Sequence, residues 1–140
     1  MRTFPAIDAH VKAVVFGLDD VLFPARDYLL QVYYLFANLL EYTATAPPAK
    51  ELTEFLKATY DRHGQAGLFD RAVEVFAIDT KYKEAFDRLH VTAQLPLKVL
   101  LYERMAELMH ALSDGGKQLV ILAEGNPVMQ LNKLRQVEWR

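Results

Sequence analysis

Two short stretches of this chain, Ala13–Phe16 and Leu119–Ala123, are apolar without interruption, and the other apolar residues recur mostly at helical spacing. The β-branched residues in these stretches predict strands at Val11–Leu18 and Gln118–Ala123, of the parallel type that is buried on both faces. A pair of aspartates ends the first strand, and a Gly-Asn-Pro turn ends the second. The two strands are therefore predicted to run parallel, joined by a right-handed crossover.

Helices account for the rest of the pattern. The first is predicted to have Asp27 as its cap and to end near Thr43, ahead of a Pro-Pro pair, with an aromatic stripe that we interpret as core. Further amphipathic helices are predicted at 50–63, 69–78, 82–89, 102–112 and from Pro127 onward. Gly64 and Gly115 follow two of these segments, where helices commonly end. This order predicts an α/β fold with a helical insert after the first strand.

Composition narrows the classes of function. With 140 residues, of which 52% are hydrophobic, the chain is expected to form one domain or a core with an insert. A net charge of −2 gives no electrostatic reason to expect nucleic acid or an anionic membrane as partner. The absence of cysteine excludes disulfides and thiolate metal sites. Met1–Pro5 does not open a secretion signal, and Tyr28–Leu40, the richest apolar stretch, is too short to span a bilayer, so we expect a soluble, cytoplasmic protein.

Specific residues at the two predicted strand ends point to a family. The segment AVVFGLDDVLFP, residues 13–24, resembles the first motif of haloacid dehalogenase-type (HAD) hydrolases, an apolar run followed by Asp-x-Asp-x-Thr/Val. The segment QLVILAEGNPVMQLNKLR, residues 118–135, resembles the second motif, an apolar strand ending in Thr or Ser before a Gly-Asn turn and a helix with Gln and Lys. The resemblance implies a partial Rossmann-like HAD core from residues 1–26 and 96–140 and a C1-type helical cap from residues 27–95.

The first motif departs from the family at its most important position. The resemblance implies that the first Asp attacks phosphorus and ligates Mg²⁺, and Gly17 stands at that position. Asp19 stands where the family has its acid/base aspartate, so it is a vestigial acid/base. Asp20 fills the variable position, and Val21 is a permitted residue at the last. From the residues alone, the aspartates could equally cap the strand end, and Gly17 could serve close backbone packing.

The second motif is degenerate as well. The resemblance implies that its hydroxyl and nearby backbone N–H groups bind phosphate, and the hydroxyl position is Ala123. Glu124 and Gly125 could still offer backbone N–H groups at the start of a helix. The third and fourth motifs, which supply a Lys and further metal carboxylates, would follow beyond Arg140, and Lys133 is not interpreted as a substitute for that Lys. The Mg²⁺ expected for the family therefore lacks its ligands, and the scattered histidines do not have ligand spacing.

The resemblance leaves three functions open. The first is a truncated, degenerate HAD-like protein without phosphohydrolase activity that binds a phosphorylated small molecule or a partner. The second is an active HAD phosphatase that acts on a small phosphorylated metabolite. The third is a helical protein-interaction module. Because two apolar strands with open edges are marginal alone, a homodimer or a complex with another protein is also expected.

Overall fold

The computed structural model of the protein describes residues 7–139. Arg140 and the first six residues lie outside this range, and with them the N-terminal sequence that predicts no secretion signal. The described residues form an α/β chain with two strands and six α-helices, in the order β1 (Ala13–Phe16), α1 (Ala25–Ala44), α2 (Ala49–His63), α3 (Leu68–Phe76), α4 (Lys83–Thr92), α5 (Glu103–Asp114), β2 (Gln118–Ile121) and α6 (Pro127–Gln136). A single 3-10 turn, Thr80–Tyr82, precedes α4.

The chain divides into two compact units. The α/β unit comprises the described residues up to Asp27 and from Lys98 onward, and it holds both strands. The helical unit comprises Tyr28–Leu97 and holds most of α1 together with α2, α3 and α4.

Parallel pairing of β1 and β2 is confirmed, with a register that aligns Ala13 with Gln118 and Phe16 with Ile121. Both strands are shorter than predicted. The ladder continues for one hydrogen bond beyond each end of the paired segment, from Gln118 N–H to the Lys12 carbonyl and from Leu122 N–H to the Phe16 carbonyl, each 2.8 Å. The two strands therefore end side by side.

The prediction that both strands are buried on both faces is wrong. Val15 is 58% exposed and Leu122 is 68% exposed, and Val120, which pairs with Val15, is also exposed. Side chains alternate between the faces of a strand, so these three residues share one face. Phe16, on the other face, is buried, and α5 packs against β2. An apolar run predicts a strand, but it does not show whether the chain supplies a layer for each face.

Helix boundaries follow the expected punctuation with one exception. Gly64 ends α2 with φ 75° and donates its N–H to the Tyr60 carbonyl over 2.7 Å, and Gly115 ends α5, both as predicted. The prediction that Asp27 caps α1 is wrong, because α1 begins at Ala25 and Asp27 lies in its first turn. The carboxylate of Asp20 instead accepts a 2.9 Å hydrogen bond from the Ala25 N–H.

Aromatic rings form the core of the helical unit, which confirms the interpretation of the α1 stripe. Phe86 stands at the centre: its ring centroid lies 5.0 Å from that of Phe36, 5.4 Å from Phe69 and 6.1 Å from Tyr33. The Tyr33 and Phe86 rings are parallel to within 3°, and the Phe36 and Phe86 rings meet edge to face. All four side chains are buried.

Candidate functional site

Beyond the carboxyl ends of β1 and β2, the chain borders a pocket of about 400 Å³. Four residues that the sequence singles out line it together: Gly17 and Asp19 after β1, and Ala123 and Glu124 after β2. They meet because parallel strands in this register bring both chain exits to the same sheet edge. The apolar side chains of Val15 and Leu122 complete one wall.

Gly17 is not required by the backbone conformation at its position, because its φ lies outside the left-handed region. A Cβ built on Gly17 would meet the Cγ2 atom of Val21 at 3.2 Å. That contact is tight, but Val21 is exposed and its methyl group can shift. The position therefore admits a side chain with a small adjustment, and the close packing that a glycine often serves in a strand is limited here to one exposed neighbour.

Asp19 is held on both carboxylate oxygens by side chains of α6. The Lys133 ammonium lies 2.7 Å from Oδ1, and the Gln130 amide donates to Oδ2 over 3.0 Å. The same amide nitrogen donates to the Glu124 carbonyl over 2.7 Å, which ties the two strand-end loops together. The Lys133 side chain is only 7% exposed and that of Asp19 is 33% exposed, so the ion pair is largely shielded from water.

Sequence reasoning assigned no role in this site to Lys133, which it named only to reject as the family's third-motif lysine, or to Gln130. Helical spacing predicts that the last helix carries Met129, Leu131, Leu134 and Val137 on one face. Val137, just after α6, is buried, but Leu131 is exposed, and the buried side chains within α6 are Gln130, Asn132 and Lys133. The available signal was the spacing of Gln130 and Lys133, three residues apart and so on one helix face. What the spacing could not supply is their partner, which is more than a hundred residues away in sequence.

Two backbone N–H groups lie in the turn just before α6, next to a residue that lines the pocket. Asn126 caps the helix by accepting hydrogen bonds from the N–H groups of Val128 and Met129, at 2.9 and 3.2 Å. Among residues 7–139, no hydrogen bond engages the N–H of Glu124 or Gly125. Gly125 has φ 106°, which a residue with a side chain rarely adopts. Gly125 does not line the pocket, although it follows Glu124, which does.

Asp20, next to Asp19, does not line this pocket. Its backbone is left-handed at φ 61°, and its N–H donates to the Phe23 carbonyl over 2.8 Å. Together with the hydrogen bond from Ala25 to its carboxylate, these contacts make it a turn and capping residue.

The side chains at the strand ends do not fit a magnesium site. Mg²⁺ is held by oxygen ligands in octahedral geometry, usually including one or two carboxylates. Gly17 offers none and both oxygens of Asp19 accept hydrogen bonds from α6, which leaves Glu124 as the other acidic residue that lines the pocket. The Lys133 ammonium, which lies 2.7 Å from the Asp19 carboxylate, also opposes the binding of a second cation there. In the part of the chain that the structure describes, no group of three or more His, Asp or Glu side chains could hold a metal ion.

Comparison with known proteins returned no match: no family model fits the sequence, and neither a curated protein nor a solved structure matches it. The likeness to HAD hydrolases therefore rests on the two motif-like segments and their placement. None of the helices within residues 7–139 has the length and apolar character needed to cross a membrane.

Proposed function

We propose that this chain is an HAD-like protein without phosphohydrolase activity, which binds a small phosphorylated ligand beyond the carboxyl ends of β1 and β2. One observation supports the proposal: Gly17, the residue at the family's nucleophile position in the resemblance, lines one pocket with an Asp19 carboxylate whose two oxygens are both engaged by α6. In this view residues 1–26 and 96–140 are a degenerate HAD core, and residues 27–95 are the cap.

Loss of catalysis follows from the contacts of Asp19. A general acid must give its proton to the leaving group, so one carboxylate oxygen must face the substrate. The salt bridge to Lys133 directs Oδ1 of Asp19 toward α6, and the Gln130 amide engages Oδ2. With no side chain at Gly17 to attack phosphorus, the pocket lacks both groups that phosphoryl transfer through an aspartyl intermediate requires.

Retention of binding is supported by the start of α6. The N–H groups of Glu124 and Gly125 lie in the turn just before Asn126, which caps the ten-residue helix α6, and the helix dipole favours anions near this end. Lys133 neutralises Asp19, so that carboxylate repels an incoming anion less than a lone one would.

A thermal-shift titration with inorganic phosphate and a panel of phosphorylated metabolites tests binding. We expect a rise in Tm that grows with ligand concentration. Ala123→Asp should abolish the rise, because its carboxylate would stand beside the N–H donors. Leu131→Asp makes the same charge change on an exposed position of α6 and should keep it. Equal responses of the two variants would contradict binding at this pocket.

An assay with p-nitrophenyl phosphate and Mg²⁺ tests the loss of activity. We expect no turnover by the native chain, and none by Gly17→Asp, which restores a nucleophile but leaves Asp19 held by α6 and the hydroxyl at Ala123 missing. Turnover that depends on Asp19 and on Mg²⁺ would favour the alternative, an active phosphatase.

A second candidate, association through the sheet, is favoured by the exposed face of Val15, Val120 and Leu122. Parallel strands are almost always covered on both faces, and a two-stranded sheet is marginal unless it packs or gains strands. We propose a homodimer with a twofold contact at this sheet.

Light scattering at micromolar concentration should give twice the monomer mass, and Val15→Ser with Leu122→Ser should give a monomer. Val75→Ser, an equally exposed valine of the helical unit, is the control; a native monomer would refute the dimer.

A further inference from the structure

The helical unit contains a groove of about 320 Å³ between α2 and α3, which nothing in the resemblance to HAD hydrolases explains. Phe55, Arg62 and His63 line it from α2, and Arg71, Glu74 and Val75 line it from α3. We call it the α2–α3 groove. Its volume lies at the lower end of the range of small-molecule sites.

Charge in the α2–α3 groove is unbalanced. Two arginines, Arg62 and Arg71, and one acidic residue, Glu74, line the groove, so positively charged side chains outnumber negatively charged ones. Within residues 7–139, neither arginine takes part in an ion pair or a side-chain hydrogen bond. Guanidinium groups present planar pairs of donors that match a carboxylate, so two of them at one concave surface favour an anion.

The position of Arg71 strengthens this reading. Arg71 lies in the first turn of α3, where its N–H bonds the Gly67 carbonyl. The N-terminal end of a helix carries partial positive charge, so a cation there is unfavourable for the helix. Arg62, in the last turn of α2, suits its own helix end, and helix stability alone can explain it. The helix dipole does not account for Arg71, because the charged residue that suits this helix end is Asp70.

The groove also has an apolar part, beside the polar Thr59 and His63. Phe55 is half-buried and is fixed in place by Phe76, whose ring meets it edge to face with centroids 5.2 Å apart. Val75 is 60% exposed beside it. An aromatic face and an exposed aliphatic side chain next to two guanidinium groups suit a ligand with an apolar body and an anionic head.

We propose that the α2–α3 groove binds a small organic monoanion, an aromatic or aliphatic carboxylate, with its head on Arg62 and Arg71 and its apolar body on Phe55 and Val75. Glu74 sets the charge that the groove accepts. Its carboxylate repels a second negative charge on the ligand, so a carboxylate monoanion binds better than a phosphate dianion of the same size. The proposal concerns the helical unit alone and does not depend on the function proposed for the α/β unit.

Ligand-observed NMR titration of the full chain with benzoate, benzamide and phenyl phosphate tests the proposal. We expect benzoate to bind at least about fivefold more tightly than benzamide, its neutral isostere, and more tightly than phenyl phosphate. Failure of benzoate to bind up to roughly 10 mM, where even a weak small-molecule site responds, would overturn the proposal. Equal affinity for benzamide would overturn the proposal too, because the groove would then bind the ring without any contribution from the negative charge.

Variants assign the binding to these residues. Arg62→Gln and Arg71→Gln should each weaken benzoate binding about three- to tenfold, the usual effect of losing one charge-assisted hydrogen bond at an accessible site. Arg88→Gln makes the same change on the exposed surface of α4 and should leave affinity unchanged. Glu74→Gln should raise the affinity for phenyl phosphate relative to benzoate. If Arg88→Gln weakens binding as much as Arg71→Gln, general surface charge rather than the groove binds the anion, and the proposal fails. Circular dichroism of each variant shows that the helices are intact.

Discussion

The two units of this chain bury different kinds of side chain. In the helical unit, four aromatic side chains from three helices pack together, with Phe86 in contact with the other three. In the α/β unit, the helix that follows β2 buries Gln130, Asn132 and Lys133, while Val15 and Leu122 on the sheet are exposed. At α6 and on this sheet face the usual arrangement is reversed, although the same unit also buries apolar side chains such as Leu22, Phe23 and Val99.

The two units therefore differ in what holds their elements together: ring packing in the helical unit, and a polar network at α6 in the α/β unit. Ring packing spreads stability over many small contacts, none of which depends on one partner. The network of Asp19, Lys133 and Gln130 depends on three hydrogen bonds. The stability that this network contributes requires that every one of its polar groups has a partner. The amide oxygen of Gln130 is itself buried without a hydrogen-bond partner among the described residues, so this network is not optimised for stability.

The largest expected effect tests the packing side of the comparison. Phe86→Ala should lower the free energy of unfolding by about 3–5 kcal/mol, because it leaves a cavity among the rings of Tyr33, Phe36 and Phe69. Leu122→Ala also shortens a large apolar side chain, but that side chain is mostly exposed in the single chain, and in the monomer the change should stay within about 0.5 kcal/mol. Urea denaturation followed by circular dichroism measures both. Similar costs for the two variants would show that the sheet face is covered in solution.

The next effect tests the polar side. Asp19→Ala should lower the free energy of unfolding by about 2–3 kcal/mol, because it removes the carboxylate that neutralises the deeply buried Lys133 ammonium. Lys133→Met should cost less, about 1–2 kcal/mol, because Asp19 is one-third exposed and keeps its hydrogen bond from Gln130. The double variant, measured in the same denaturation experiment, should cost less than the sum of the two. Additive costs would mean that the two groups are not coupled.

A smaller effect separates backbone conformation from packing at the strand ends. Gly125→Ala should destabilise the protein by about 1 kcal/mol, because φ 106° strains a residue with a side chain although no atom lies within 4 Å of the new Cβ. Gly115→Ala is the matched control. Its φ of −79° suits alanine, so the change should stay within about 0.5 kcal/mol. Thermal unfolding resolves the two, and an unaffected Gly125→Ala would show that the turn relaxes.

The smallest effects come from two tyrosines of α1 inside the aromatic core. Tyr28 donates its hydroxyl to the His90 carbonyl over 2.6 Å, so Tyr28→Phe should cost about 1 kcal/mol. The Tyr33 hydroxyl is buried without a hydrogen-bond partner among the described residues, so Tyr33→Phe should be neutral or stabilising by up to about 1 kcal/mol. A destabilised Tyr33→Phe would reveal a partner for this hydroxyl. Equilibrium denaturation of the two variants side by side makes this comparison.

Tyr33 also predicts how stability changes with pH. Burial, and secondarily the neighbouring Tyr60, raise the pKa of the Tyr33 hydroxyl well above its usual range. The unfolded chain ionises this group near its ordinary pKa of about 10, and the folded chain ionises it only at higher pH. The stability linked to Tyr33 is therefore complete below pH about 10 and falls as pH rises above it. Tyr33→Phe should remove this part of the alkaline loss, as urea midpoints across that range would show.

Local patterns in the sequence predicted which elements form, because the physics of each element is local. The β-branched runs predicted both strands, and Gly64, Gly115 and Pro127 marked helix ends that the structure confirms. The parallel pairing of the strands then placed Gly17 and Ala123 at one pocket. The chemical roles predicted for these residues from the HAD resemblance stay predictions.

Long-range partners were not predictable in the same way. Nothing near Lys133 in sequence indicates that its ammonium contacts Asp19, and nothing near Val15 shows that its sheet face is uncovered. The cap of α1 shows the same limit over a shorter span. Asp27 satisfies the local rule for a cap, but Asp20 reaches the helix because the left-handed turn at its own backbone directs it there. Side-chain pairing and layer coverage depend on how elements meet, which a single periodic pattern does not contain.

The uncovered sheet face also affects how unfolding of this protein is measured. The dye ANS binds exposed apolar surface, and its fluorescence is commonly used as a sign of a molten globule. Three branched apolar side chains on one sheet face, Val15, Val120 and Leu122, give the native monomer such a surface, so we expect ANS to fluoresce with the folded monomer and to lose this signal where the proposed homodimer covers the face. The near-ultraviolet circular dichroism of the packed rings around Phe86 is lost only when tertiary packing is lost. For this chain, that signal and not the dye distinguishes the native state from a partly unfolded one.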